Sequence, residues 1–82
     1  MAHTRAHIRL NKMSEVNEFV RLLNSDGTTD KYVLENQDGS YRVDARSLLG
    51  AMYMSGEHND DTYLVNLSRD IEFPPFIDQY RV

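Results

Sequence analysis

Apolar residues follow a two-residue period in four short segments of the chain. In the first, Ala6, Ile8 and Leu10 alternate with polar residues, which is typical of a strand with one buried face. In the fourth, we expect Leu64 to lie on the reverse side, and the residues expected to face the core are Tyr63, Val65 and Leu67. The four predicted strands are residues 6–10, 31–36, 41–45 and 62–67.

Between these strands the apolar residues change to helical spacing. A first stripe recurs at positions i, i+3, i+4 and i+7, which predicts an amphipathic helix, with Ser14 as the best candidate for its N-cap. A second helix follows Ser47, with residues 55–61 as a polar loop after it, and a third, about two turns long, begins at or near Pro75. The residues of the first stripe are Val16, Phe19, Val20 and Leu23.

The order of these elements is strand, helix, strand, strand, helix, strand, short helix. The pair Asp38 and Gly39 favours a tight hairpin between the second and third strands. Stripes on one side of each strand predict an antiparallel sheet with its helices on one face, so we expect one α+β domain over residues 1–82. Phe19, Val43 and Val65 are expected to be deeply buried.

The most informative stretch is residues 41–56, which read YRVDARSLLGAMYMSG. Ser47 stands just before the second helix, where its hydroxyl can accept a bond from an N–H of the first turn. Gly50 is unusual in a helix interior, so either another part of the chain approaches its backbone or the helix is only two turns long. Some of the helix's apolar residues should be exposed, as scattered side chains or as a docking patch; these residues are Leu48, Leu49, Met52 and Met54.

The string SLLGAM, from Ser47 to Met52, resembles the regulatory-serine helix of HPr, the histidine-containing phosphocarrier of the bacterial sugar phosphotransferase system. The order of elements on both sides also fits that family. The resemblance implies an open-faced β-sandwich with strand order 1-4-2-3. It further implies that Ser47 is a kinase target and that neighbouring side chains dock onto a protein partner. Those side chains are Arg46, Leu48, Leu49 and Met52.

The chain departs from the family at the phosphoryl-accepting histidine, which in HPr starts the first helix and is followed by Thr, Arg and Pro. Here that place is held by residues 10–14, which read LNKMS. The similar string of His3, Thr4, Arg5 and Ala6 precedes the first predicted strand and is read as an accidental match. The carrier role therefore does not transfer.

The amino-acid composition excludes several classes of function. The chain has 82 residues, no Cys and a formal net charge of −4, so we expect neither disulfides nor a nucleic-acid partner. We also expect no membrane segment, no cofactor and a cytoplasmic location. His58 is interpreted as part of a solvated acidic loop rather than a metal site.

The leading hypothesis is a non-enzymatic HPr-like regulatory protein whose partner is a kinase or phosphatase, or a transcriptional regulator, as for HPr relatives. One alternative is a small-ligand-binding regulatory domain of ferredoxin-like topology, which would have strand order 4-1-3-2. Another is an active phosphoryl carrier that uses an atypical residue.

Overall fold

The fold is seen in a computed structural model, which describes residues 5–82. Two α-helices and a short 3₁₀ helix alternate with four strands, in the predicted order. The elements are β1 (Arg5–Ile8), α1 (Met13–Ser25), β2 (Tyr32–Glu35), β3 (Arg42–Asp44), α2 (Leu48–Glu57), β4 (Thr62–Asn66) and the 3₁₀ helix (Pro75–Tyr80). The string beginning at His3 and Thr4 lies partly outside the described residues.

The four strands form one antiparallel sheet in the order β1-β4-β2-β3. This confirms the α+β open-faced sandwich and its 1-4-2-3 order, and it excludes the order 4-1-3-2 of the ferredoxin-like alternative. Leu64 of β4 lies opposite Ala6 on one side and Leu34 on the other, and Leu34 lies opposite Val43. These four side chains therefore share the face that the helices cover.

The predicted facing of the fourth strand is wrong. Leu64 belongs to the core and is fully buried, whereas Val65 lies on the reverse face, opposite Val33. Val65 is nevertheless buried, as predicted, but by its neighbours on that reverse face. The segment TYLVNL is apolar on both sides of the two-residue period, so the alternation could not fix its orientation. Pairing with β1 and β2 on both edges fixes it instead.

Helix α1 begins before the predicted N-cap. Its N-cap is Lys12, so Ser14 lies in the first turn and does not cap the helix. The Glu15 carboxylate accepts a hydrogen bond of 2.8 Å from the backbone N–H of Asn11, which satisfies a donor next to the helix start. A carboxylate at this end is also favoured by the helix dipole. The early start thus follows from Glu15 rather than from a serine cap.

The core lies between one face of the sheet and the three helices. Phe19 is fully buried, as predicted. The predicted deep burial of Val43 is wrong: it is only partly buried, because β3 is an edge strand. Tyr80, in the 3₁₀ helix, packs edge-on against Phe19 with ring centroids 5.5 Å apart, and its hydroxyl donates to the Glu18 carboxylate over 2.6 Å. The short C-terminal helix therefore covers the side of α1, in the place predicted from Pro75.

Candidate functional site on helix α2

Helix α2 is held unusually close to strand β3. A Cβ atom added at Gly50 would lie 3.0 Å from the carbonyl oxygen of Asp44 and 3.2 Å from Cβ of Val43. Close approach of another part of the chain is therefore the reason for glycine at this position. The helix has ten residues and runs to Glu57, so the first part of the predicted loop is helical.

This close packing leaves most of the large side chains of α2 outside the core. Ala51 and Met54 are fully buried, whereas Leu48, Leu49 and Met52 are 40%, 77% and 39% exposed. We call Leu48, Leu49 and Met52 the α2 patch. Three of the four residues predicted to dock a partner thus have accessible side chains on one helix, while Met54 belongs to the core.

Ser47 is the N-cap of α2, as predicted. Its hydroxyl oxygen accepts a hydrogen bond of 3.3 Å from the N–H of Gly50, and its own N–H donates to the carbonyl of Asp44. The side chain is half-buried, and the first turn of the helix contains no acidic residue. A negative charge added to Ser47 would face the positive end of the helix dipole.

Arg46 points away from the α2 patch and into the molecule. Its guanidinium donates to the carbonyl oxygens of Leu23, Thr28 and Asp30, and it lies 3.8 Å from the carboxylate of Asp26. It thereby ties the end of α1 and the loop after it to the start of α2. These contacts give Arg46 a structural role, and its predicted role in docking stays a prediction.

Two tyrosines that the sequence did not mark as a site extend the exposed surface beyond the α2 patch. The rings of Tyr41 and Tyr53 stack with their centroids 5.0 Å apart, and each side chain is 41% exposed. The hydroxyl of the neighbouring Tyr41 is the main cause that raises the pKa of Tyr53. His58 lies beside this tyrosine pair, with its ring 5.7 Å from Tyr41. The two tyrosines are twelve positions apart in the sequence, so no local pattern could have paired them.

The side chains of the polar loop around His58 diverge. Asp60 pairs with Arg9 over 2.8 Å, and Asp61 accepts a hydrogen bond from the backbone N–H of Gln37, while His58 faces the tyrosine pair. Within residues 5–82, no three His, Asp or Glu side chains come together as a metal site would require. The loop therefore offers no converging set of metal ligands.

The start of α1, where the resemblance would place an active histidine, is occupied differently. Lys12 is exposed at the start of α1, and the Glu15 carboxylate already binds the backbone there. His7 lies on the opposite face of the sheet, where its ring stacks on Tyr63 at 4.6 Å and Nε2 contacts the carbonyl of Asp60. Neither His7 nor His58 is therefore at the start of α1.

A cavity of about 580 Å³ opens beside β2 and β3, and no residue of the α2 patch lines it. Some of the charged residues that line it form ion pairs with other residues of the protein. Arg42 pairs with Glu35 and Asp30 pairs with Arg69, each over 2.8 Å. The lining groups thus stabilise the sheet edge and the loop before β2.

No protein-family model, curated protein or solved structure matches this chain. None of the helices within residues 5–82 combines the length and the apolar character needed to cross a lipid bilayer. The architecture alone defines the class: an α+β open-faced sandwich whose second helix presents an apolar surface beside a serine cap.

Proposed function

We propose that this protein is a cytoplasmic regulatory interaction protein of the HPr type, which binds a protein partner through the α2 patch and is regulated at Ser47. The observation that carries the proposal is the exposure of three large apolar side chains on one helix, with Leu49 at 77%. Contiguous exposed apolar side chains mark interaction surfaces more often than isolated ones do. The resemblance of SLLGAM to the HPr serine helix supplies the partner class, a serine kinase or a transcriptional regulator.

The α2 patch offers enough apolar surface to contribute to binding. Full burial of a Leu or Met side chain stabilises by about 1.5–3 kcal/mol, and each side chain of the patch is already partly covered. Covering the remainder is worth a few kcal/mol before the cost of association is subtracted. A partner must therefore add contacts beyond these three side chains, which suits a regulated, reversible complex.

Ser47 is placed where a phosphate would change this surface. A phosphoserine carries a charge of about −1.5 to −2 at neutral pH, and a helix N-terminus stabilises such a charge. Leu48 follows directly, so the phosphate would lie at the border of the α2 patch. A partner that presents Arg at this point gains charge-assisted hydrogen bonds, and a purely apolar partner is repelled.

We assign the protein no phosphohistidine chemistry. Lys12 stands at the start of α1 in place of a histidine, and a lysine ammonium group has donors but no lone pair for attack on phosphorus. The Glu15 carboxylate beside it adds a negative charge where a phosphoryl group would have to sit. The protein would then act by binding and not by catalysis or phosphoryl transfer.

Phosphorylation by a purified HPr kinase with ATP tests the regulatory half of the proposal. Intact-mass measurement and peptide mapping should show a single phosphate on Ser47. The Ser47→Ala protein should remain unmodified, and Ser14→Ala, which removes an exposed serine from the other helix, should be modified normally. An unmodified wild-type protein, or phosphate that persists in Ser47→Ala, would contradict this half.

Incubation with phosphoenolpyruvate and the first enzyme of the phosphotransferase system tests the absence of a carrier role. We expect no mass increase. Acid-labile phosphate on His7 or His58 would show that the chain is an active carrier after all.

Binding to a catabolite-control transcriptional regulator, measured by calorimetry, tests the docking surface. Met52→Asp should abolish binding because it places a charge inside the covered surface. Met13→Asp is the matched control, since Met13 is 45% exposed on α1 and outside the α2 patch. A partner that is indifferent to both Ser47→Asp and Met52→Asp would remove α2 from the function.

A further inference from the structure

Two of the protein's tyrosine rings are covered by arginines of the same chain. The guanidinium of Arg5 lies 4.2 Å from the ring centroid of Tyr63, and that of Arg46 lies 5.2 Å from the ring centroid of Tyr32. Such contacts are favourable because the face of an aromatic ring attracts a cation. Within residues 5–82, no guanidinium or ammonium of the chain lies over the rings of the tyrosine pair, Tyr41 and Tyr53.

The charges around the tyrosine pair also favour a cation. Glu57 lies one helical turn after Tyr53 and is exposed, and the last turn of α2 contains no basic residue. Residues four apart on a helix are neighbours on its surface, so Glu57 is the nearest charged residue of α2 to the Tyr53 ring. The protein as a whole has a net charge of −4 and attracts basic partners.

We propose that the partner covering the α2 patch places an arginine over the tyrosine pair, beside Glu57. The inference rests on the proposed docking function and specifies its occupant as a basic amphipathic helix. Arginine suits the site because its planar guanidinium stacks on aromatic rings while its N–H groups reach a carboxylate.

The geometry of α2 sets the spacing that the partner needs. Leu49 and Tyr53 are four residues apart, so they lie about 6 Å from one another along the helix axis. A partner helix that runs alongside therefore needs an apolar anchor and an arginine at i and i+4, which share one helical face. The anchor covers the α2 patch while the arginine reaches the tyrosine pair.

The probe is a pair of synthetic 16-residue helical peptides with leucines along one face. One carries arginine four residues after the central leucine, and the other carries citrulline, which has the same shape without the charge. Each peptide is titrated into the full-length, ¹⁵N-labelled protein, and the dissociation constant is obtained from the amide shifts of α2. We expect the arginine peptide to bind about two- to fivefold more tightly than the citrulline peptide, as for exposed cation–π contacts.

Variants locate the effect. Tyr53→Leu keeps an apolar side chain without the aromatic face, so the preference for the arginine peptide should fall to the part that Glu57 supplies. Tyr63→Leu is the matched control, because that ring lies on the far face of the sheet and already carries Arg5; it should keep the preference. Glu57→Gln should reduce the preference without removing it, and thermal melting verifies that each variant is folded.

The possible results separate the two proposals. Equal binding of both peptides to the wild-type protein, with shifts confined to α2, would overturn the arginine site and leave docking intact. An undiminished preference in Tyr53→Leu would also overturn it. Absence of α2 shifts with both peptides would overturn the basic amphipathic occupant, while phosphorylation of Ser47 tests the proposed function independently.

Discussion

The two α-helices use their apolar residues in opposite ways. Helix α1 has a single apolar stripe, and all of it is buried: Val16, Phe19, Val20 and Leu23. Helix α2 is more apolar per residue, yet only Ala51 and Met54 are buried. The more apolar helix therefore contributes less to the core and more to the surface.

The difference arises from which atoms face the sheet. Helix α1 packs through large side chains, which hold its backbone at a distance. Helix α2 packs through Gly50 and Ala51. At Gly50 the backbone is so near β3 that an added Cβ atom would lie 3.0 Å from the carbonyl oxygen of Asp44. Because the contact is made with small residues, the large neighbours must point elsewhere. The apolar residues of α1 therefore stabilise the core, whereas most of the large apolar residues of α2 form an accessible surface.

Truncation of one apolar side chain on each helix should give the largest contrast. Phe19→Ala should cost about 3–5 kcal/mol of unfolding free energy, because it leaves a cavity in a fully packed core. Leu49→Ala should change it by less than about 0.5 kcal/mol, since the side chain is mostly in solvent. Urea unfolding of both proteins measures the two values, and similar losses would show that the helices do not differ as described.

Glycine replacements within α2 test the close approach to β3. Gly56→Ala should stabilise the protein by up to about 1 kcal/mol, because nothing lies within 4 Å of the added methyl group. Gly50→Ala should be about 1–3 kcal/mol less favourable than Gly56→Ala, because Asp44 and Val43 must move. Equal melting temperatures of the two variants would count against close packing at Gly50.

Serine replacements at the two helix starts test which helix has a serine cap. Ser47→Ala should cost about 1 kcal/mol, because the N–H of Gly50 loses its acceptor. Ser14→Ala should be neutral or slightly stabilising, since Ser14 lies in the first turn of α1 and alanine is the better helix former. Chemical denaturation measures the free energy of unfolding of each variant. A large loss of stability in Ser14→Ala would mean that Ser14 caps α1.

Alkaline pH should weaken the α1 side of the molecule more than the α2 side. Burial and the hydrogen bond to Glu18 raise the pKa of Tyr80, so this group stabilises the fold below about pH 10, where the unfolded tyrosine is still protonated. That stabilisation is lost as the pH rises further. Stability measured from pH 9 to 11 should fall less steeply in Tyr80→Phe than in the wild-type protein. Tyr53→Phe should change the slope in the same direction but by less, because the raised pKa of Tyr53 belongs to an exposed ring.

The element order and the core stripe of α1 could be predicted from sequence because both depend on local spacing. Two consecutive turns of one helix place Phe19 and its neighbours on the same side whatever lies beneath them. The serine cap at Ser47 is equally local, since donor and acceptor are three residues apart. The strand order came from the resemblance, and pairing in the structure confirms it.

What sequence could not decide depends on contacts between distant residues. Leu64 faces the core because β1 and β2 pair with both edges of its strand, and Arg46 is turned inward by carbonyls of a loop that precedes it by about two elements. The stacking of Tyr41 on Tyr53 likewise requires the β3 edge to bring α2 against the sheet. Spacing along the chain determines which side chains share a face, whereas only tertiary packing determines what covers that face. On α2 the packing buries Ala51 and Met54 and leaves the α2 patch uncovered.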